Sequence, residues 1–145
     1  VDRSCEYRKS KTIYVSVMDN GINNGLYGGV SASDGNTAAV VAHSQYGVGA
    51  VWVLSKDSNG DWSQTPFQAE EDDIRWGWDV AVNGDVVVVG VPRFPGGGAA
   101  VVLARGSSGG WYKQTTLLPE DAVDSDAQFG ISVDISDCGC YIAVG

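Results

Sequence analysis

Short apolar runs alternate with turn residues along most of this chain. From Trp76 the order is Trp76-Gly77, then Asp79-Val80-Ala81-Val82, the pair Asn83-Gly84, and Val86-Val87-Val88-Val89-Gly90-Val91-Pro92. A Pro/Gly-rich connection leads to Ala99-Ala100-Val101-Val102-Leu103-Ala104, a Ser/Gly turn, and Trp111-Tyr112-Lys113-Gln114-Thr115-Thr116-Leu117-Leu118. Runs this short, rich in β-branched and aromatic residues and bounded by Gly, Pro, Asn or Ser, predict four β-strands. Asn-Gly supplies the positive φ angles that a two-residue hairpin turn needs. Residues 86–89 are apolar at every position, which predicts a strand buried on both faces.

The pattern repeats. Tyr27-Gly28 recurs 49 residues on as Trp76-Gly77, Asp34-Gly35 as Asn83-Gly84, Gly49-Ala50 as Gly98-Ala99, and Trp62 as Trp111. A third copy opens at Phe129-Gly130, displaced by 53 because the acidic stretch before it is longer. The predicted strands are 29–33, 37–42, 50–54 and 62–67 in the first copy. In the second they are 78–82, 86–91, 99–103 and 111–118. The third holds 131–135 and 141–144, joined by the longer turn Ser136-Asp137-Cys138-Gly139. Residues 12–18, rich in β-branched and aromatic side chains, read as the outer strand of a preceding, incomplete unit.

Four antiparallel strands per repeat of about 50 residues predict an all-β protein built of β-propeller blades. Blade repeats occupy 27–75 and 76–128. Residues 129–145 form the opening hairpin of a third, and 1–26 hold a tail plus the outer strand of a preceding blade. That makes about two complete blades plus partial ones, an incomplete propeller. The Gly of each aromatic-Gly pair is expected to permit close backbone approach, and the aromatic ring to fill the space between blades. Closed propellers have about 4 to 8 blades. The chain is therefore expected to be part of a longer polypeptide, or to have its open strand edges covered by neighbouring subunits.

Composition narrows the partners. With 20 Gly and 43% hydrophobic residues in 145, the chain is expected to be folded and loop-rich. Its formal net charge of −9 argues against binding nucleic acid phosphate and favours cations or basic partners, with solubility the plainer role. No apolar run approaches the roughly 18 residues of a membrane span, so none is expected. No signal-peptide pattern opens the chain, and no Asn-x-Ser/Thr sequon occurs.

The chemistry-bearing residues are few. Three cysteines are present, Cys5, Cys138 and Cys140, and Cys5 with either of the other two is the candidate pairing. Cys138-Gly139-Cys140 is not the Cys-x-x-Cys spacing of zinc or redox sites, and these read as free or structural thiols. Gly106-Ser107-Ser108-Gly109-Gly110 matches Gly-x-Ser-x-Gly, but it falls between two strands of one blade rather than on a strand-to-helix turn, so a hairpin loop is expected. His43, the only histidine, aligns with Pro92 and is expected in a connecting loop. Asp57, Asn59 and Asp61 stand at alternate positions around Gly60, like half of a calcium loop without its later Glu, and are the candidate calcium ligands. The acidic stretches 70–73 and 121–126 read as solvated loops or weak calcium sites. Trp78 has no aromatic counterpart, its equivalents being Gly29 and Ile131. It either packs in the core, the simpler reading, or stands at a sugar- or peptide-binding face.

Phe129-Gly130-Ile131-Ser132-Val133 and Gly90-Val91-Pro92 resemble the Phe-Gly and Gly-Ala-Pro landmarks of FG-GAP repeats, which build the propellers of integrin α-subunit heads and related surface proteins. The resemblance covers about residues 27 to 145 and is best in the middle copy. The first copy has Val41-Ala42-His43 where Gly-Ala-Pro is expected. The family often carries an Asp-rich calcium loop between the first two strands of a blade. Here that place holds the short Asp34-Gly35 and Asn83-Gly84 turns, so those ligands do not carry over. The resemblance implies a non-catalytic binding module for a protein partner or glycan, extracellular or at the cell surface. A structural subunit of a large assembly is the alternative. FG-GAP propellers also occur beside catalytic domains, as in glycosylphosphatidylinositol-specific phospholipase D, and an enzymatic parent would carry its catalytic residues outside this chain.

Overall fold

The computed structural model of the chain describes residues 25–44, 49–68, 76–120 and 127–145. Every regular element among them is a β-strand. The first sheet is an antiparallel meander in the order β1 (Gly25–Ser33), β2 (Thr37–Ser44), β3 (Ala50–Lys56), β4 (Trp62–Gln68). The second repeats it with β5 (Val80–Asn83), β6 (Val86–Val91), β7 (Ala99–Arg105), β8 (Trp111–Leu117). A two-stranded sheet follows, β9 (Val133–Ile135) with β10 (Ile142–Val144). The predicted outer strand at 12–18 and both acidic stretches lie outside the described residues, as does the 1–24 part of the tail.

The repeat holds at the level of hydrogen bonds. In the first sheet Ser33 pairs with Ala38 and Lys56 with Trp62, and in the second Val82 pairs with Val87 and Arg105 with Trp111. Lys56 N–H donates to the Asn36 carbonyl at 2.8 Å, and its counterpart Arg105 N–H donates to the Asp85 carbonyl at 2.9 Å.

Period-2 alternation sends successive side chains to opposite faces, and the sheets stack through the apolar faces of their central strands. Ala39, Val41, Val51 and Val53 of the first sheet pack with Val80, Val87, Val89, Val91, Ala99, Val101 and Leu103 of the second. The opposite face of the second sheet, Ala81, Val88, Ala100 and Val102, packs with Val133 and Ile135 of the third. The second sheet is thus covered on both sides, as the unbroken Val86–Val89 run requires. The far face of the first sheet carries its own cluster of Ala42, Trp52 and Leu54.

The aromatic-Gly pairs make the junctions between sheets. Trp76 is buried in the core between the first two sheets, with the Lys113 ammonium 6.0 Å from its ring. A Cβ on Gly49 would stand 2.5 Å from the Trp76 carbonyl oxygen, and one on Gly98 would strike the backbone of Phe129. Gly49 and Gly98 are equivalent, so each junction seats the next unit's aromatic residue on the glycine that precedes a third strand. Gly77 and Gly130, at φ 82° and 93°, press back against Val41 and Ala99 of the preceding sheets. The inner strand is closed the same way twice. The Gly90 carbonyl accepts from Gly77 N–H and Trp78 N–H at 3.0 Å each, and the Gly145 carbonyl accepts from Gly130 N–H at 2.7 Å and Ile131 N–H at 3.2 Å.

Three expectations need correction. The inner strands of the second and third units begin two residues later than predicted, at Val80 and Val133, because Trp78 and Ile131 spend their N–H groups on that closing carbonyl. β1 begins earlier than predicted, at Gly25. His43 lies within β2, its backbone paired with Leu26, and not in a connecting loop. Its counterpart Pro92 has no N–H to continue a ladder, so β6 stops at Val91 where β2 runs on to Ser44.

Candidate functional site

Antiparallel meanders sort the connections onto two ends. One end gathers the starts of inner strands and the connections from second to third strands. Trp78, Ile131 and residues 92–98 are there. The other end gathers the hairpin turns: 34–36, 57–61, 84–85, 106–110 and 136–141.

At the first end Trp78 is 44% exposed and Ile131 is 41% exposed. The core reading of Trp78 is overturned. The reason is local: Gly77 at positive φ turns the chain so that Trp76 enters the core and Trp78 faces out. Ile131 holds the same position after Phe129-Gly130, so exposed apolar side chains recur at equivalent places on neighbouring sheets. Arg93 is exposed on the connection after β6. Trp78 and Arg93 flank strands of the second sheet, which is packed on both faces and gives these side chains a rigid base.

At the other end the turns are tied to one another. The Asp34 carboxylate accepts from Asn36 N–H at 3.0 Å and Thr37 N–H at 2.8 Å, closing its own turn, and its second oxygen accepts from Gly84 N–H of the next sheet. Burial pushes this carboxyl up, but the backbone donors Thr37, Asn36 and Gly84 together outweigh it and hold it below its ordinary value. Asn83, equivalent to Asp34, donates its side-chain amide to the Ser136 and Asp137 carbonyls of the third unit at 2.8 and 3.0 Å. A carboxylate meets N–H groups at one junction and an amide meets carbonyls at the next.

Asp57, Asn59 and Asp61 lie on the β3–β4 hairpin. One Asp57 carboxylate oxygen accepts from Asn59 N–H at 2.9 Å and Asp61 N–H at 2.8 Å. Asp57 N–H donates to the Asp61 carbonyl at 2.9 Å and Gly60 N–H to the Asp57 carbonyl at 3.0 Å. The same backbone pattern closes the β7–β8 hairpin, Gly106 N–H to Gly110 and Gly109 N–H to Gly106, both at 2.8 Å, with no carboxylate present. That hairpin contains Ser107 and Ser108, so the Gly-x-Ser-x-Gly match is a strand-to-strand turn, as the repeat predicts. Among the described residues no three His, Cys, Asp or Glu side chains gather closely enough to hold a metal ion. One Asp57 oxygen is spent on its own turn, which leaves its second oxygen and the Asp61 carboxylate as the turn's carboxylate donors, where a calcium site gathers about six to eight oxygens.

The β9–β10 turn carries the cysteines that the sequence shows as free or structural thiols, but the contacts among its side chains were not anticipated. Cys138 and Cys140 are both exposed, free thiols, and Cys5 lies outside the described residues. The Cys138 sulfur receives Cys140 N–H at 3.3 Å and lies 3.4 Å from the Ser136 hydroxyl. The Cys140 thiol donates to the Cys138 carbonyl at 3.4 Å. Hydrogen bonding from the Cys140 thiol, then from Ser136 and the Cys140 backbone, brings Cys138 down to about 7, while the same contact pushes Cys140 up. A Ser two residues before a Cys-Gly-Cys on a predicted hairpin was the available signal.

No protein-family model matches the chain, and no curated protein is similar to it. No helix among the described residues is long and apolar enough to cross a membrane.

Proposed function

We propose that the chain is a segment of a larger FG-GAP-like β-propeller and acts as a non-catalytic module that recognises a protein or glycan, outside the cell or at its surface. The reading rests on the resemblance of the Phe129-Gly130 and Gly90-Val91-Pro92 landmarks. It is supported by consecutive four-stranded sheets that stack face to face and repeat the same aromatic-Gly junction. The described residues form two such sheets and a hairpin, and a closed ring has roughly four to eight blades; on this reading the others come from the same polypeptide or from neighbouring subunits. The observation that carries the binding role is Trp78. Trp78 is 44% exposed just before the first strand of a sheet buried on both faces, and its ring is suited to stack on a sugar or fill a partner's pocket.

The test is a binding screen of the purified chain on arrayed glycans and extracellular-matrix proteins, run beside Trp78→Ala. A specific ligand whose affinity falls about tenfold or more in the variant supports the reading. A screen in which every ligand of the wild type binds Trp78→Ala equally removes Trp78 from it.

A structural-subunit role has one observation in its favour. Among the described residues β10 pairs with β9 alone, leaving its other edge open. A native particle far larger than the 15.2 kDa chain, with the chain itself intact under denaturing conditions, would support that role.

A further inference from the structure

We propose that Cys138 and Cys140 form a dithiol–disulfide couple that exchanges with low-molecular-weight disulfides, Cys138 attacking and Cys140 resolving. This goes beyond the binding role and does not depend on it.

The turn supplies the geometry. Ser136 N–H donates to the Tyr141 carbonyl at 3.0 Å and Gly139 N–H to the Ser136 carbonyl at 2.8 Å, so the loop is closed at its base. Gly139 at φ 67° folds the chain back between the two cysteines. Their Cα atoms, two residues apart, cannot stand farther than about 7.6 Å, and a folded turn brings them closer, toward the range a disulfide spans. Both thiols face solvent. The Cys138 sulfur accepts the Cys140 N–H at 3.3 Å, a contact that stabilises a thiolate, and lies 3.4 Å from the Ser136 hydroxyl, whose proton is also within reach of the Tyr141 carbonyl at 3.3 Å. Ser136 is itself fixed, receiving Tyr141 N–H on its hydroxyl at 3.1 Å. The adjoining sheet meets the turn with the neutral Asn83 amide, which holds the Ser136 and Asp137 carbonyls, while Asp137 is the charged neighbour within the turn. An attacking thiol works best when its pKa is near the ambient pH, and Cys138 at about 7 meets that condition.

The steps balance. The Cys138 thiolate attacks one sulfur of the external disulfide, forming a mixed disulfide and expelling one thiolate. Cys140 then attacks the Cys138 sulfur, and the second thiol leaves with the proton Cys140 gives up. Two thiols of the chain become one disulfide, and one external disulfide becomes two thiols. The ring closed by a Cys-Gly-Cys bridge is small and exposed, which makes the bond readily reducible and the couple reversible.

The probe is glutathione disulfide, added at pH 7 to the whole chain and to Cys138→Ser and Cys140→Ser. Both positions are exposed, so neither change should disturb the fold. Trypsin has no site after Lys113, so both thiols leave on one peptide, separate from Cys5. The wild-type peptide should lose two hydrogens and carry no glutathione. Cys140→Ser should stop at one retained glutathione on Cys138, formed at least about tenfold faster than any adduct on Cys140 in Cys138→Ser. Wild-type peptide carrying two glutathiones, or equal rates in the two variants, would overturn the proposal.

Discussion

Trp111 donates its indole N–H to the hydroxyl of Ser55 at 2.6 Å, across the interface between the second sheet and the first. Ser55 is 3% exposed and stands on the face that packs against the second sheet. Its equivalent in the second sheet is Ala104, so the bond marks one junction and is not a property of the repeat. Trp111→Phe and Ser55→Ala should each cost about 1 kcal/mol in urea unfolding, and the double variant about 1 kcal/mol less than their sum. Strict additivity would mean the bond contributes nothing.

Gly35 and Gly77 separate backbone strain from crowding. Both have positive φ, but a Cβ on Gly35 meets nothing within 4 Å, whereas one on Gly77 collides with the Val41 side chain. Gly35→Ala should cost about 1 kcal/mol, the left-handed term alone. Gly77→Ala should cost about 3 kcal/mol or more, since it also forces two sheets apart. Equal midpoints in a denaturation series would contradict the packing at this junction.

Leu103 and Tyr112 lie on neighbouring strands of one ladder with opposite surroundings. Leu103 is fully buried between the first two sheets, and Tyr112 is exposed on β8. Leu103→Ala should destabilise by about 2–5 kcal/mol. Tyr112→Ala should stay within about 0.5 kcal/mol of wild type.

Asp34 sets an acid-side signature. Its carboxyl is held below the ordinary value in the folded chain, so the folded state favours the ionised form. The contribution is complete above the unfolded pKa and is lost as pH falls through the folded one, below 3.8. Asp34 is exposed and screened, so the term should stay below about 1 kcal/mol. The stability difference between wild type and Asp34→Asn should therefore be constant above about pH 5 and shrink in more acid solution. A difference that grows on acidification would mean that the folded chain raises this carboxyl rather than lowering it.

The strands were legible because each leaves two independent marks in the chain. β6, β3 and β7 combine β-branched or small apolar residues with turn residues at both ends, and the 49-residue displacement places Thr37 with Val86, Ala50 with Ala99 and Trp62 with Trp111 at strand starts. Inner strands were less legible. Trp78 and Ile131 look like strand residues, but their amides go to the carbonyls of Gly90 and Gly145, contacts that composition does not encode. The candidate site was legible only as positions. Asp57, Asn59 and Asp61 were visible as an acidic loop, yet the partners of Asp57, its own turn amides, emerged only from the folded hairpin.

The sequence by itself determined the all-β class, the four-strand unit, its repetition and the burial of the second sheet on both sides. These follow from period-2 patterning and turn chemistry, which act within a few residues. Tertiary structure decided which of two neighbouring tryptophans faces inward, because Gly77 reverses the chain between Trp76 and Trp78. It also decided that Asp34 and Asn83 tie each hairpin to the next, and that Ser136, Cys138 and Cys140 converge on one turn. The hairpin ties join residues 50 or more apart, and the other two relations turn on side-chain direction, which composition does not specify.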